Sequence, residues 1–404
     1  MFSTYVNSQE KFQPCSNPNT PAQHSNVSEL SQNQEQIVCE SISIQPSQIH
    51  DKSIPRFLLA ILRFSGLVYE LNEKNKSVKV WLFFLFIMLF VIFDSLVILI
   101  LNFSLTERKI SLTHLCLKVF SLVIWICMRR KRMNMKILLR KLQPLHAPAH
   151  EKIFNFLVLI INAIPLVYSI TFTIYSKKGF FSTKLAYGNE IKSPFGQIVL
   201  IWIKTFLEFL IFPTFPLLVS LLFTTICLRC SLYFTILTKE ITEYSPHTFG
   251  PEEQRNILRR KAEIDDILDI IQEIFSVPSF FFNLGYFVSC CRALAWYLTH
   301  SVKTPIQLFT LVNGIIILMS LSTALWVSGG LPENISKLKE AFYKKTHRRI
   351  VFVGTSKEPD LRKELLDKPD FVLTGCGVLF YRKSSVLAAI GALLTYTVLV
   401  VSTT

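Results

Sequence analysis

The sequence predicts an all-α polytopic membrane protein with seven transmembrane helices. Its N-terminus is expected in the cytoplasm, its C-terminus outside, and its helices extended on the cytoplasmic side. Three observations predict this. Hydrophobic residues make up 50% of the 404, 34 of them Phe, and mean hydropathy is +0.40. Charged residues are only 18%, against roughly 25% in soluble domains, too few to cover such a core in water. Seven apolar stretches each approach the roughly 20 residues a helix needs to cross a bilayer. From Lys52 onward, 32 Lys and Arg lie beside the spans on the side of the N-terminus and seven on the other side. Basic loops resist translocation, so the richer side is the cytoplasmic one. The net charge of +15 is then a topological signal, and no nucleic-acid partner is expected.

The elements follow in order. Of residues 1–50, 24 are Ser, Thr, Asn or Gln. So little apolar surface cannot offset chain entropy, and 1–53 is expected to be a disordered cytoplasmic tail without a cleaved signal peptide. A juxtamembrane segment, 54–80, leads to the seven-helix domain 81–402. The spans are placed at 81–103, 110–128, 153–175, 198–226, 277–299, 305–327 and 384–402. The second is the least apolar because it holds His114 and Lys118. The fourth carries Pro213 and Pro216, which remove backbone donors and should kink it. Segments 229–276 and 331–383 are the long parts expected in the cytoplasm. In the first of these, Ile257, Ile264, Leu268, Ile271 and Phe275 recur at helical spacing with charges between them. Gly250-Pro251-Glu252-Glu253 suits a helix start, with Pro and acids in the first turn. This predicts a helix running below the membrane into the fifth span. Its apolar stripe needs a cover, either other loops or another subunit, and so does the apolar segment Phe371–Leu379.

Catalytic signatures are missing. The sequence contains no HExxH, GxSxG, Walker A or GxGxxG, so neither enzymatic activity nor a cofactor is expected. Cys227 and Cys230 form a lone CxxC without the further ligands that zinc requires, and no metal site is expected. Pro148 separates His146 from His150 and breaks the helix that could have aligned them.

The C-terminal region is the most specific. Leu373-Thr374-Gly375-Cys376-Gly377, then Arg382-Lys383-Ser384-Ser385, then Gly391 with Thr395-Tyr396 together resemble the seventh helix of arthropod gustatory receptors. That family ends in Thr-Tyr, five hydrophobic residues and Gln-Phe. Here Thr395-Tyr396 is followed by Thr397–Val401 and then by Ser402-Thr403, so the chain resembles a divergent member. The resemblance implies a taste receptor that is a ligand-gated, non-selective cation channel at the plasma membrane, a homo- or hetero-tetramer. It implies that four seventh helices surround the pore, that the cytoplasmic helical ends in 229–276 and 331–383 form an anchor holding the subunits together, and that spans two to six form a pocket for a small-molecule tastant open to the outside.

Spacing within the last span selects a pore face. Counting back from Ser402 by three or four residues reaches Leu399 or Val398, then Thr395, then Gly391, all on one stripe. Thr395 and Ser402 would offer hydroxyls to cations, and Val398 and Leu399 an apolar constriction. Tyr396 is turned roughly 100° away, toward neighbouring helices. Depth selects the ligand site. Charges inside a membrane are costly and mark function or a pair. Five occur: Asp94, Lys118, Lys204, Glu208 and Arg292. The resemblance sets Asp94 apart from the rest. The other four share the outer level of their helices with His114, Tyr168, Thr171, Tyr175, Trp202, Trp296, Tyr297, Gln307 and Asn313. Lys204 and Glu208, four apart, can pair with each other, whereas Lys118 and Arg292 have no local partner. Arg292 and Trp296, with Lys118 and His114 opposite, are the expected centre of a site for a small polar or anionic compound.

Two other classes fit seven spans. A G-protein-coupled receptor would need the reverse orientation, and the chain lacks Asp-Arg-Tyr after span three and Asn-Pro-x-x-Tyr in span seven. A transporter would show repeated halves with interrupted helices, and no internal repeat is visible.

Overall fold

The computed structural model describes residues 56–67, 74–101, 105–143, 151–175, 185–187, 191, 193–299, 305–354 and 371–403. The expected tail 1–53 lies outside these. The helices are α1 (Arg56–Phe64), α2 (Lys74–Leu101), α3 (Leu105–Arg130), α4 (Arg132–Lys141), α5 (Glu151–Tyr175), α6 (Pro194–Phe209), α7 (Phe215–Glu243), α8 (Pro251–Thr299), α9 (Pro305–Val353) and α10 (Ser384–Thr403). Counting α6 and α7 as one interrupted helix, six have the length and hydropathy to cross a membrane, and the shorter apolar stretch Ser384–Val400 of α10 makes the seventh. A two-stranded hairpin, β1 (Thr374–Gly375) and β2 (Leu379–Phe380), precedes α10. The fold is otherwise all-α.

The expected break in the fourth span is present. Ser193 caps α6 by accepting from Gly196 N, with Pro194 in the first turn. Pro213 cannot donate to the helix ladder, and at Leu210–Thr214 the chain forms one wide turn in which Phe212 is extended (φ −143, ψ 124). α7 resumes at Phe215 and continues to Glu243.

α8 and α9 each have 49 residues, about 73 Å at 1.5 Å per residue, against a hydrocarbon core of roughly 30 Å. Each therefore carries a long extramembrane half. α9 packs along α7, and α8 against α3 and α9. The links from these halves to α7 and to the α7–α8 connection are polar at the edges. Arg260 donates to both carboxylate oxygens of Glu240 at 2.9 and 2.7 Å. Asn334 donates to Ser231 at 2.6 Å, and Arg349 to the His247 carbonyl at 2.7 Å. Along α9, Leu331, Ile335, Leu338 and Phe342 are buried at three- and four-residue steps. α9 thus runs through Gly329, Gly330 and Pro332 without ending, because its inner face stays packed.

Two sequence expectations change here. The stripe Ile257, Ile264, Leu268, Ile271 and Phe275 on α8 is buried within the chain itself, so it does not need another subunit to cover it. The Leu373–Gly377 motif, read as part of the seventh-helix pattern, instead forms the hairpin. Three residues, Cys376 to Val378, separate the paired Gly375 and Leu379, and Cys376 (φ 54) and Gly377 (φ 69) take the left-handed conformation that turns the chain there. The hairpin docks on α8. The side chain of Gln272 accepts from Thr374 N at 2.9 Å and donates to the Thr374 carbonyl at 3.0 Å. Asn283 donates to the Tyr381 hydroxyl at 2.8 Å. Leu373 and Tyr381 are buried in the core while Val378 is exposed, so only part of the segment 371–379 remains uncovered.

Beyond the hairpin, the backbone of Arg382 and Lys383 crosses α9 at Gly329. A Cβ at Gly329 would lie 2.5 Å from Arg382 C and Lys383 N. Glycine is required there because the two backbone segments touch.

Candidate ligand-binding site

The five intramembrane charges fall into two clusters that join different helices. In the first, Lys204 of α6 donates to Asp94 of α2 at 2.6 Å and to the Leu185 carbonyl at 2.7 Å. Its ammonium lies 3.9 Å from the centre of the Tyr187 ring, and the Tyr187 hydroxyl donates to Asp94. Asp94 and Lys204 are each only 9% exposed. This corrects two expectations. Asp94 is not set apart, and Lys204 is not the partner of Glu208. Lys204 is committed to a buried pair and does not belong to the open site.

The second cluster is the candidate site. Lys118 of α3 reaches Glu208 of α6 at 2.9 Å and donates also to Ser95 of α2. His114, one turn before Lys118, lies 3.3 Å from the same Glu208 oxygen through Nδ1. Arg292 of α8 donates through Nη1 to His114 Nε2. An Arg donor on Nε2 leaves the other ring nitrogen, Nδ1–H, to donate to Glu208, so this pattern assigns a neutral imidazole. The result is a chain of donors, Arg292 to His114 to Glu208, closed from the other side by Lys118. The expectation that Lys118 and Arg292 lack partners is thereby corrected, since their partners come from other helices. The Lys118 side chain is buried, whereas those of His114 and Glu208 are about one-third exposed, at 35% and 34%.

Below this level the lining turns apolar. A Cβ at Gly285 of α8 would touch Phe120, Phe212 and Leu117 at 3.6 to 3.7 Å, which places the extended Phe212 of the α6–α7 break against α3 and α8. To one side is an aromatic group. Tyr168 of α5 stacks on Phe209 with centroids 4.5 Å apart, meets Phe309 edge-on, and donates to the Phe309 carbonyl at 2.6 Å. Phe209 directly follows Glu208, so the two groups adjoin through α6. Asn313 lies one turn beyond Phe309 on α9, buried, with no hydrogen-bond partner for Oδ1 among the described residues. Trp296 lies one turn beyond Arg292 on α8 and is half-buried.

The remaining candidates do not converge. Tyr175 is 51% exposed, and Trp202 is 38% exposed, its ring stacked on Phe206 of the same helix. Tyr297 is exposed. Exposed aromatics at the end of a span suit the lipid headgroup boundary. The side chain of Gln307 lies outside the described residues. Ser95 and Tyr187, which complete the two clusters, escaped sequence reasoning. Asp94 and Lys204 sit at similar depth with opposite charge, and that match was the available signal.

On α10, Leu393 is buried and Tyr396 half-buried, while Gly391, Thr395, Val398, Leu399 and Ser402 are all exposed. The stripe selected from spacing thus lies within the surface that α10 does not use inside its own chain, a surface that also includes Leu387, Ile390 and Leu394.

No family model and no curated protein matches this chain. Solved structures do. The insect olfactory receptor OR5 from Machilis hrabei superposes with a TM-score of 0.62 at 15% identity, over 86% of this chain and 97% of that one. The same receptor in complex with eugenol gives 0.64 at 14% identity over the same shares. These neighbours are receptors, not enzymes, and the chain has the fold of an insect olfactory receptor.

Proposed function

We propose that this protein is a chemosensory receptor subunit that opens a cation-conducting pore when a small molecule binds in the outer half of its helical bundle. The observation that carries this is the fold, which matches a small-molecule receptor over 97% of that receptor's length. The unused face of α10 supports the pore. A helix packed on one side only, with Leu399 59% exposed in a run of small and apolar residues, fits a symmetric contact around a central axis. Four copies then place Thr395 and Ser402 toward permeating cations and Val398 and Leu399 at a constriction able to close by dewetting. The Thr395-Tyr396 motif favours a gustatory role, in a homo- or hetero-tetramer at the plasma membrane with its basic face in the cytoplasm.

The ligand site of this reading is the Arg292–His114–Glu208–Lys118 cluster with its adjoining Tyr168 and Asn313. It joins α3, α6 and α8 immediately before the α6–α7 break, so a ligand that changes these contacts changes the packing of three spanning helices. α8 in turn holds the hairpin that leads into α10. Leu399→Ser, expressed in cells and in planar bilayers, is expected to conduct without ligand. A closed-state conductance equal to wild type at equal surface expression would overturn the assignment of this face.

A further inference from the structure

We infer that the ligand is a small oxyanion, a carboxylate above all, and that Arg292 is the group that holds it. The inference rests on the ligand site proposed above and names its chemistry. The cluster carries two cations, Lys118 and Arg292, and one anion, Glu208, with His114 neutral by its hydrogen-bond pattern. One positive charge is left over in a setting where charge is expensive unless paired.

The surplus can be placed on Arg292. Glu208 directs one oxygen to both Lys118 and His114. Among the described residues no carboxylate lies within 4.0 Å of the Arg292 guanidinium. Its Nη1 is engaged by the imidazole, but its Nε is buried without a hydrogen-bond partner among those residues. A guanidinium offers five donors in a rigid fork, and the edge that includes Nε matches the two oxygens of a carboxylate. His114, held by Glu208, fixes the opposite edge of the fork, so the free edge is oriented before a ligand arrives. Trp296, one turn along α8, shares the face of Arg292 and offers an apolar wall for the carbon skeleton. His114 and Glu208 are each about one-third exposed, so the cluster is reachable from outside the packed core.

The test uses full-length protein, purified for thermal-shift binding and expressed for current recording. The probes are small carboxylates from acetate to phenylacetate, each with its methyl ester and primary amide, and chloride alone. Carboxylates are expected to stabilise the wild type and evoke current, with their esters and amides at least tenfold weaker. Arg292→Gln should abolish that preference, and Arg292→Lys, which keeps the charge but loses the fork, should retain part of it. Wild-type preference for esters or amides, lost in Trp296→Ala, would overturn the oxyanion inference and leave the site reading standing. Responses unchanged in folded Arg292→Gln, His114→Ala and Trp296→Ala would overturn the site reading itself. Stabilisation by chloride alone, or by no probe, would also refute a carboxylate ligand.

Discussion

The buried pair of Asp94 and Lys204 allows a quantitative test of how α2 and α6 are held together in this bundle. Consider Asp94→Asn and Lys204→Met, singly and together. Each wild-type residue is 9% exposed and their charged atoms are 2.6 Å apart. Removing one partner strands the other charge in a low-dielectric site, at about 3–5 kcal/mol for each single variant. In the double variant no charge is stranded. Asn can still accept from Tyr187, and Met fills the volume of the lysine stem. What remains is the Leu185 carbonyl, which has lost a donor, at about 1–3 kcal/mol. The double variant should therefore be more stable than either single one, with a coupling of at least about 3 kcal/mol by the double-mutant cycle. At roughly 2 °C per kcal/mol for a chain above 250 residues, each single variant should lower the apparent Tm in detergent by about 6–10 °C, and the double variant by about half that or less. Size-exclusion chromatography with intrinsic fluorescence across a temperature series measures all four proteins. Strictly additive losses would show that the pair contributes nothing as a pair, and the account of this cluster would be wrong.

Two further pairs of substitutions probe the extramembrane half. Gly329→Ala forces a Cβ to within 2.5 Å of the Arg382 and Lys383 backbone, while Gly330→Ala meets only the end of the Lys383 side chain at 3.8 Å. The first should cost about 1–3 kcal/mol by overpacking and shift the lead-in to α10, seen as a lowered Tm and altered gating, whereas the second should be close to wild type in both. Ile264→Asp with Leu268→Asp places two carboxylates in the core of the chain, at 1% and 0% exposure. Loss of folded protein is expected, not release of folded monomers, and native mass measurement distinguishes the two.

Much of the architecture is local information and was legible in the sequence. A spanning helix is decided by some twenty consecutive residues, because no backbone group can go unpaired in lipid. The break at Leu210–Thr214 follows from Pro213, and the start of α8 from Gly250-Pro251-Glu252-Glu253. The exposed stripe of α10 follows from helical periodicity, since the positions selected by spacing share one face whatever surrounds them. Other features depended on which helices become neighbours. Helical spacing put Lys204 beside Glu208, but the bundle turns the first to Asp94 and the second to Lys118 and His114, because an ion pair is chosen by proximity in space. The stripe from Ile257 to Phe275 announced a buried face without naming its cover, which the chain itself provides. The strands at Thr374–Gly375 and Leu379–Phe380 are too short for any periodicity to register, and it is their contacts with Gln272, Ser276 and Asn283 of α8 that hold them. Only the tertiary structure could place a guanidinium, an imidazole and a carboxylate from three helices in one chain of hydrogen bonds. Each donor's partner lies about a hundred or more residues away in sequence, beyond the reach of any local pattern.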